Sequence, residues 1–191
     1  MPYVQGSLIN HWMQLDEAGT KTAVILIDEQ EGFSFTSNSG SSLTLPLLSN
    51  QSAVLQLIDQ LQHATAFFIE LNPANKKTWK ATDGKLLKCV SSAKRKHIPK
   101  TKFSAFDNTY LRSTLQQEGI NDLIAMGHMA NHCVKQTIFG GARKPTGSKS
   151  EDKIVRQGAI NYDYSVFSSQ AIVSGCIEWI EHPLVTLFAH I

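Results

Sequence analysis

"TAVILID", residues 22–28, is an unbroken aliphatic and β-branched run that stops on a carboxylate. A strand with one face in water alternates apolar and polar residues, so a continuous run reads as a strand buried on both faces, the habit of a central parallel strand. "TAFFIEL", residues 65–71, repeats the pattern and is stopped by Asn72-Pro73. "LIAMG", residues 123–127, is a third such run. It follows a helical stretch in which Leu111 and Leu115 sit four apart and Gly119 suits a left-handed C-terminal cap. Between the first two runs, residues 32–46 are rich in Ser, Gly, Asn and Thr and read as loop. "SNQSAVLQLIDQLQHA", residues 49–64, then spaces Val54, Leu57, Ile58 and Leu61 at helical intervals behind Ser and Asn cap candidates. Strands alternating with helices imply a three-layer α/β/α, Rossmann-like fold: a mostly parallel sheet of about six strands with helices on both faces. Ligands of such sheets bind outside the carboxyl ends of the strands, where the chain order reverses. Asp28 ends the first run and Cys133 follows the third by a short turn, so both are expected to face one crevice.

The remaining segments read less distinctly. "LLKCV" (86–90) and "KHIPKT" (96–101) suggest short strands, "EDKIVRQGAINY" (151–162) a helix, and "YSVFSS" (164–169) a strand before the apolar closing stretch "PLVTLFAHI". At 191 residues and 42% apolar content the chain fits one domain, 1–191, with a proper core. Its apolar runs fall far short of the roughly 20 residues of a membrane span. The N-terminus "MPYVQGSLINHW" shows no secretory pattern, which places the expected location in the cytoplasm. Three widely spaced cysteines, Cys89, Cys133 and Cys176, form neither a disulfide framework nor a metal knuckle and read as reduced thiols. The net charge of +2 hides a segment, 76–102, with ten Lys or Arg against one acid, Asp83.

Three local patterns carry chemistry: "LIDEQEGF" with Asp28 and Gln30, "KTKFSAFDNTYL" at 100–111, and "GHMANHCVKQT" at 127–137. Their order and spacing resemble the isochorismatase-like hydrolase superfamily. Its members show an apolar strand ending in Asp-x-Gln, a Lys four residues before Ser-Ala-Phe, and a Gly-x-x-x-x-x-Cys-Val turn into a helix. The resemblance covers roughly residues 20–140 well and the last fifty loosely. It implies a triad of Asp28, Lys100 and Cys133, with Lys100 favoured over Lys102 by the count to Ser104. It also implies a cis peptide at His128-Met129 and an oxyanion hole from the backbone N–H groups of Met129 and Cys133. Phe33, Phe106 and His128 are candidates for substrate contact.

A free thiol has a pKa of about 8.5. An ammonium and a helix N-terminus beside Cys133 would favour thiolate, so Cys133 is expected to titrate well below Cys89 and Cys176. Asp28 would act as general base and then general acid. A nucleophilic Cys favours attack on an amide-like carbon over the vinyl-ether cleavage that the family performs with its Asp. The nicotinamidase branch holds a metal with an Asp and several His after its second strand; here that place reads "ELNPANKKTWK". No metal and no cofactor are expected.

Each residue also has a plainer reading. Cys133 alone would be a packing residue, Asp28 a cap or turn residue, and Lys100 one solvated cation among many; His132 packs or faces an interface. The chain departs from the family after the cysteine. Cys133 to Tyr164 spans 31 residues, which relatives cross in far fewer, and the surplus forms an insertion around 143–157. Two functions stay open. One is a cysteine hydrolase of a small amide or related C–N bond, its small-molecule substrate compatible with an anion, in a homo-oligomer. The other is a catalytically silent binding protein that uses the basic 76–102 segment. That segment shows no nucleic-acid motif, and no membrane partner is expected.

Overall fold

The computed structural model describes residues 4–31, 44–72, 81–107, 109–143 and 154–191. Its elements in chain order are β1 (Val4–Ser7), α1 (Leu8–Glu17), β2 (Thr22–Ile27), α2 (Thr44–Ile58), β3 (Ala64–Leu71), α3 (Gly84–Leu87) and β4 (Arg95–Lys100). Then follow α4 (Leu111–Glu118), β5 (Asp122–Gly127), α5 (Lys135–Phe139), β6 (Gly141–Arg143), β7 (Ile154–Arg156), β8 (Ser165–Ser169) and β9 (Val185–His190).

The continuous apolar run of β2 has the burial its pattern demands: all six residues are buried. It pairs in register on both sides, Ile25 opposite Phe67 of β3 and opposite Ala125 of β5. Seven strands lie in the order β1-β9-β8-β5-β2-β3-β4, every pair parallel. The expected architecture holds, with seven strands rather than six. β1, "VQGS", carries no apolar run by which it could be read. Behind it, α1 is capped by Ser7, whose hydroxyl accepts from Asn10 N–H at 3.3 Å. Its inward residues Leu8 and Trp12 are fully buried. The Trp12 indole donates to Thr22 Oγ1 at 2.6 Å, tying the helix to the start of β2.

The chain leaves β2 for β3 in one direction and β5 for β8 in the other. With right-handed crossovers the intervening helices α2 and α5 fall on opposite faces, and a crevice opens at the carboxyl ends of β2 and β5. Gly127 clamps those ends together. Its φ is 129°, and a Cβ there would stand 2.1 Å from the Ile27 carbonyl oxygen. That same oxygen accepts from His128 N–H at 2.8 Å.

Three local readings are corrected. "LLKCV" is not a strand: Asp83 Oδ1 accepts from Lys85 N–H at 2.7 Å and caps the helical turn α3. The expected helix at 151–162 is β7 followed by a 3₁₀ turn, Ala159–Tyr162. β7 pairs antiparallel with β6, so the surplus around 143–157 is bounded by a two-stranded ribbon; residues 144–153 lie outside the described residues. α2 begins at Thr44 and ends at Ile58, earlier at both ends than its apolar spacing suggests, with Pro46 tolerated in the first turn. Among the described residues no helix is long and apolar enough to cross a membrane.

Gly127→Ala is expected to lower unfolding stability by about 3 kcal/mol or more, because the added carbon meets backbone and the φ excludes L side chains. Gly84→Ala, where nothing lies within 4 Å, should stay within about 1 kcal/mol of wild type. Urea unfolding measures both; equal midpoints would contradict the clamp.

Candidate active site

Asp28 leaves β2 with φ 56°, a left-handed conformation for which aspartate is one of the better suited residues. Lys100 is the last residue of β4, an edge strand that tolerates Pro99. Period-two alternation sends Ile98 and Lys100 inward while His97 and Pro99 stay exposed. Lys100 is therefore buried, where it meets Asp28, and Lys102, on the following turn, is exposed. Cys133 sits in a π-helical turn, Ala130–Val134, that runs into α5. Such turns are frequent at functional sites.

The three side chains converge. Lys100 Nζ donates to Asp28 Oδ2 at 2.8 Å and to the Phe103 carbonyl at 2.8 Å. The Cys133 thiol lies within electrostatic reach of both the carboxylate and the ammonium. Asp28 is 3% exposed, Lys100 1% and Cys133 8%. Asp28 Oδ1 is buried and has no hydrogen-bond partner among the described residues. An acceptor oxygen stands ready beside an S–H.

Burial raises the Asp28 carboxyl above its ordinary range, and Lys100, Cys133 and His128 oppose that rise. Burial, with the Asp28 carboxylate second, pushes the Cys133 thiol up to about 12; Lys100 opposes it. The expectation of a low-pKa thiolate is thus overturned. The ammonium is present as expected, but desolvation and a neighbouring negative charge outweigh it. With the thiol protonated, the charges of the Asp28–Lys100 ion pair cancel and the cluster carries no net charge. Moving the thiol proton to Asp28 leaves that balance unchanged.

Gln30 of the Asp-x-Gln pattern does structural work: its Oε1 accepts from Leu71 N–H at 2.8 Å and its Nε2 donates to Leu71 O at 3.3 Å, continuing the β2–β3 ladder. Ser104 donates to Gln157 O at 2.8 Å, and Ala105 N–H donates to Thr137 Oγ1 of α5 at 3.0 Å. Ser-Ala-Phe therefore fastens the loop after Lys100 to α5. Phe106 is 7% exposed and its ring meets Tyr162 and Tyr164 at 5.6 and 5.7 Å. His128 is half-buried beside Asp28, its Nδ1 2.5 Å from Ser174 Oγ; burial lowers its pKa against the pull of Asp28. The His128–Met129 peptide is cis, as the family resemblance implies. Met129 is 38% exposed and His132 is exposed. Phe33 lies outside the described residues.

Residues 70–80 supply no Asp or His, and among the described residues no group of three His, Cys, Asp or Glu could hold a metal. The side chains do not fit the metal set of the nicotinamidase branch. Sequence reading missed the segment 173–179, which packs on the turn before Cys133; it carries neither periodicity nor motif.

Comparison with known proteins places this geometry. Residues 22–144 match the Isochorismatase domain model. A protein of Arabidopsis thaliana named a probable inactive nicotinamidase is 45% identical over 42 residues, which span 22% of this chain and 21% of that relative's length. An isochorismatase family protein from Burkholderia thailandensis superposes with a TM-score of 0.63 at 18% identity, covering 87% of this chain and 90% of its own. The N-carbamoylsarcosine amidase of Thermoplasma acidophilum gives 0.61 at 13% identity, covering 88% and 96%. Since the family match takes in more than half of the residues, and the fold is that of solved isochorismatase family structures, the chain belongs to the Isochorismatase domain family.

Proposed function

We propose that this family member is a cysteine hydrolase of a small amide or related C–N bond. The observation that carries the reading is the buried contact of Asp28, Lys100 and Cys133 at the carboxyl ends of three strands and their turns. Sγ of Cys133 attacks the carbonyl carbon as the S–H proton passes to Asp28, whose Oδ1 lacks an aligned donor. The backbone N–H groups of Met129 and Cys133 receive the developing oxyanion. The C–N bond then breaks, Asp28 returns the proton to the departing nitrogen, and a thioester remains. Water, deprotonated by Asp28, adds to the thioester; the C–S bond breaks and the thiolate recovers its proton from Asp28. Lys100 stays positive throughout and balances the negative charge as it passes between Asp28 and the oxyanion.

The alternative, a silent binding protein acting through the basic segment, draws on the inactive relative, whose match spans only 42 residues. Against it stands the use of those cations. Lys94 Nζ donates to the Ile58 carbonyl at 2.8 Å and to that of Leu61, closing the end of α2. Arg95 Nη1 donates to Leu87 O at 3.0 Å, Lys96 pairs with Glu118, and Lys100 is internal. Much of the described part of that segment is occupied in holding the fold.

Ammonia release from nicotinamide, N-carbamoylsarcosine and simple carboxamides, with intact-mass detection of an acyl adduct, tests the reading. Cys133→Ala should abolish turnover and adduct, and Asp28→Asn should slow turnover by about 10²–10⁴. An adduct on Cys133→Ala would sink the assignment. Lys100→Met should cost about 3–5 kcal/mol of stability, because it strands a buried carboxylate. The exposed Lys102→Met should stay within about 0.5 kcal/mol. A larger loss from Lys102→Met would place the ammonium wrongly.

A further inference from the structure

The matched domain ends at residue 144, yet the turn that leads into Cys133 is held from far beyond that point. Val173 bridges Gly127 in parallel. Ser174 N–H donates to Gly127 O at 2.9 Å, and Ser174 O accepts from Ala130 N–H at 2.8 Å, so one residue brackets the turn on both sides. Its hydroxyl shares a 2.5 Å hydrogen bond with His128 Nδ1. The Trp179 indole N–H, buried, donates to Ala130 O at 2.9 Å, and its ring meets Phe139 of α5 edge-on at 6.0 Å. Glu178 N–H reaches Asn131 Oδ1 at 3.2 Å. Gln170 ties the segment to itself, accepting from Ile177 N–H at 2.8 Å and donating to Gly175 O at 2.5 Å.

We propose that this strap, and within it Ser174 and Trp179, are positioning residues that aim the backbone N–H groups of Met129 and Cys133 at the substrate's oxyanion. The proposal rests on the hydrolase reading above. Such positioning matters because an oxyanion donor works only when it stands about 2.7–3.1 Å from the oxygen on which the charge develops. Among the described residues, hydrogen bonds involving a side chain tie residues 127–131 to Ser174, Glu178 and Trp179, all beyond the matched domain.

The test compares two reactions of the same sulfur in a Cys89→Ser/Cys176→Ser background. Acylation by p-nitrophenyl acetate passes through a tetrahedral oxyanion; alkylation by iodoacetamide does not. Ser174→Ala and Trp179→Phe should each slow acylation about 10-fold or more while alkylation and melting temperature stay close to the parent. Ser174→Thr, which keeps the hydroxyl, should restore acylation. Variants that acylate at the parental rate, or that lose both reactions in proportion, overturn the strap's role. A parent that alkylates at Cys133 but never acylates there overturns the hydrolase reading and the strap with it, and that failure is read on the parent alone.

Discussion

A lysine ammonium 2.8 Å from an aspartate carboxylate, both almost without solvent, is the constraint around which the rest of this molecule is arranged. Taking either ion from water alone would cost several kcal/mol, so neither position is tenable without the other. Meeting requires two strands that are not neighbours, β2 and the edge strand β4, to end at the same level. β3 lies between them, in register with both. Gln30 and Asn72 carry the hydrogen bonding past the strand ends, the latter through its N–H to Lys100 O at 2.7 Å.

Cys133 enters this pair as a third, uncharged member. Because a thiolate beside Asp28 would put two negative charges in a desolvated site, the proton stays on sulfur until a substrate carbonyl offers the charge somewhere else to go. A nucleophile of this kind is generated in the act of attack rather than stored. The burial that raises the thiol also keeps its surroundings dry, so the neighbouring dipoles act with little screening.

Asp28 and Cys133 were legible because each sits where an apolar run stops, and strand ends are where parallel sheets place ligands. Lys100 was legible only as a spacing, and its distinction from Lys102 needed the alternation of β4, a strand whose "RKHIPK" has no apolar run. The direction of the Cys133 shift was hidden for another reason. A sequence shows which charges are near a thiol but not how much water has been removed from around it. The same blindness made Lys94, Arg95 and Lys96 look like a solvated basic face, when two of them close helix ends and the third pairs with Glu118. Residues 173–179 escaped because their bonds to the nucleophile turn run through backbone groups and single side chains, which leave no period to detect.

The protonation of Cys133 in the resting site is the point at which this picture is most exposed. Ultraviolet thiolate absorbance of a Cys89→Ser/Cys176→Ser chain, titrated upward in pH and subtracted against the same chain carrying Cys133→Ala, measures it directly. The difference signal should stay flat through neutrality and rise only at strongly alkaline pH, toward the value of about 12. A step at about pH 7 or below, the range of thiols activated as stored thiolates, would contradict it.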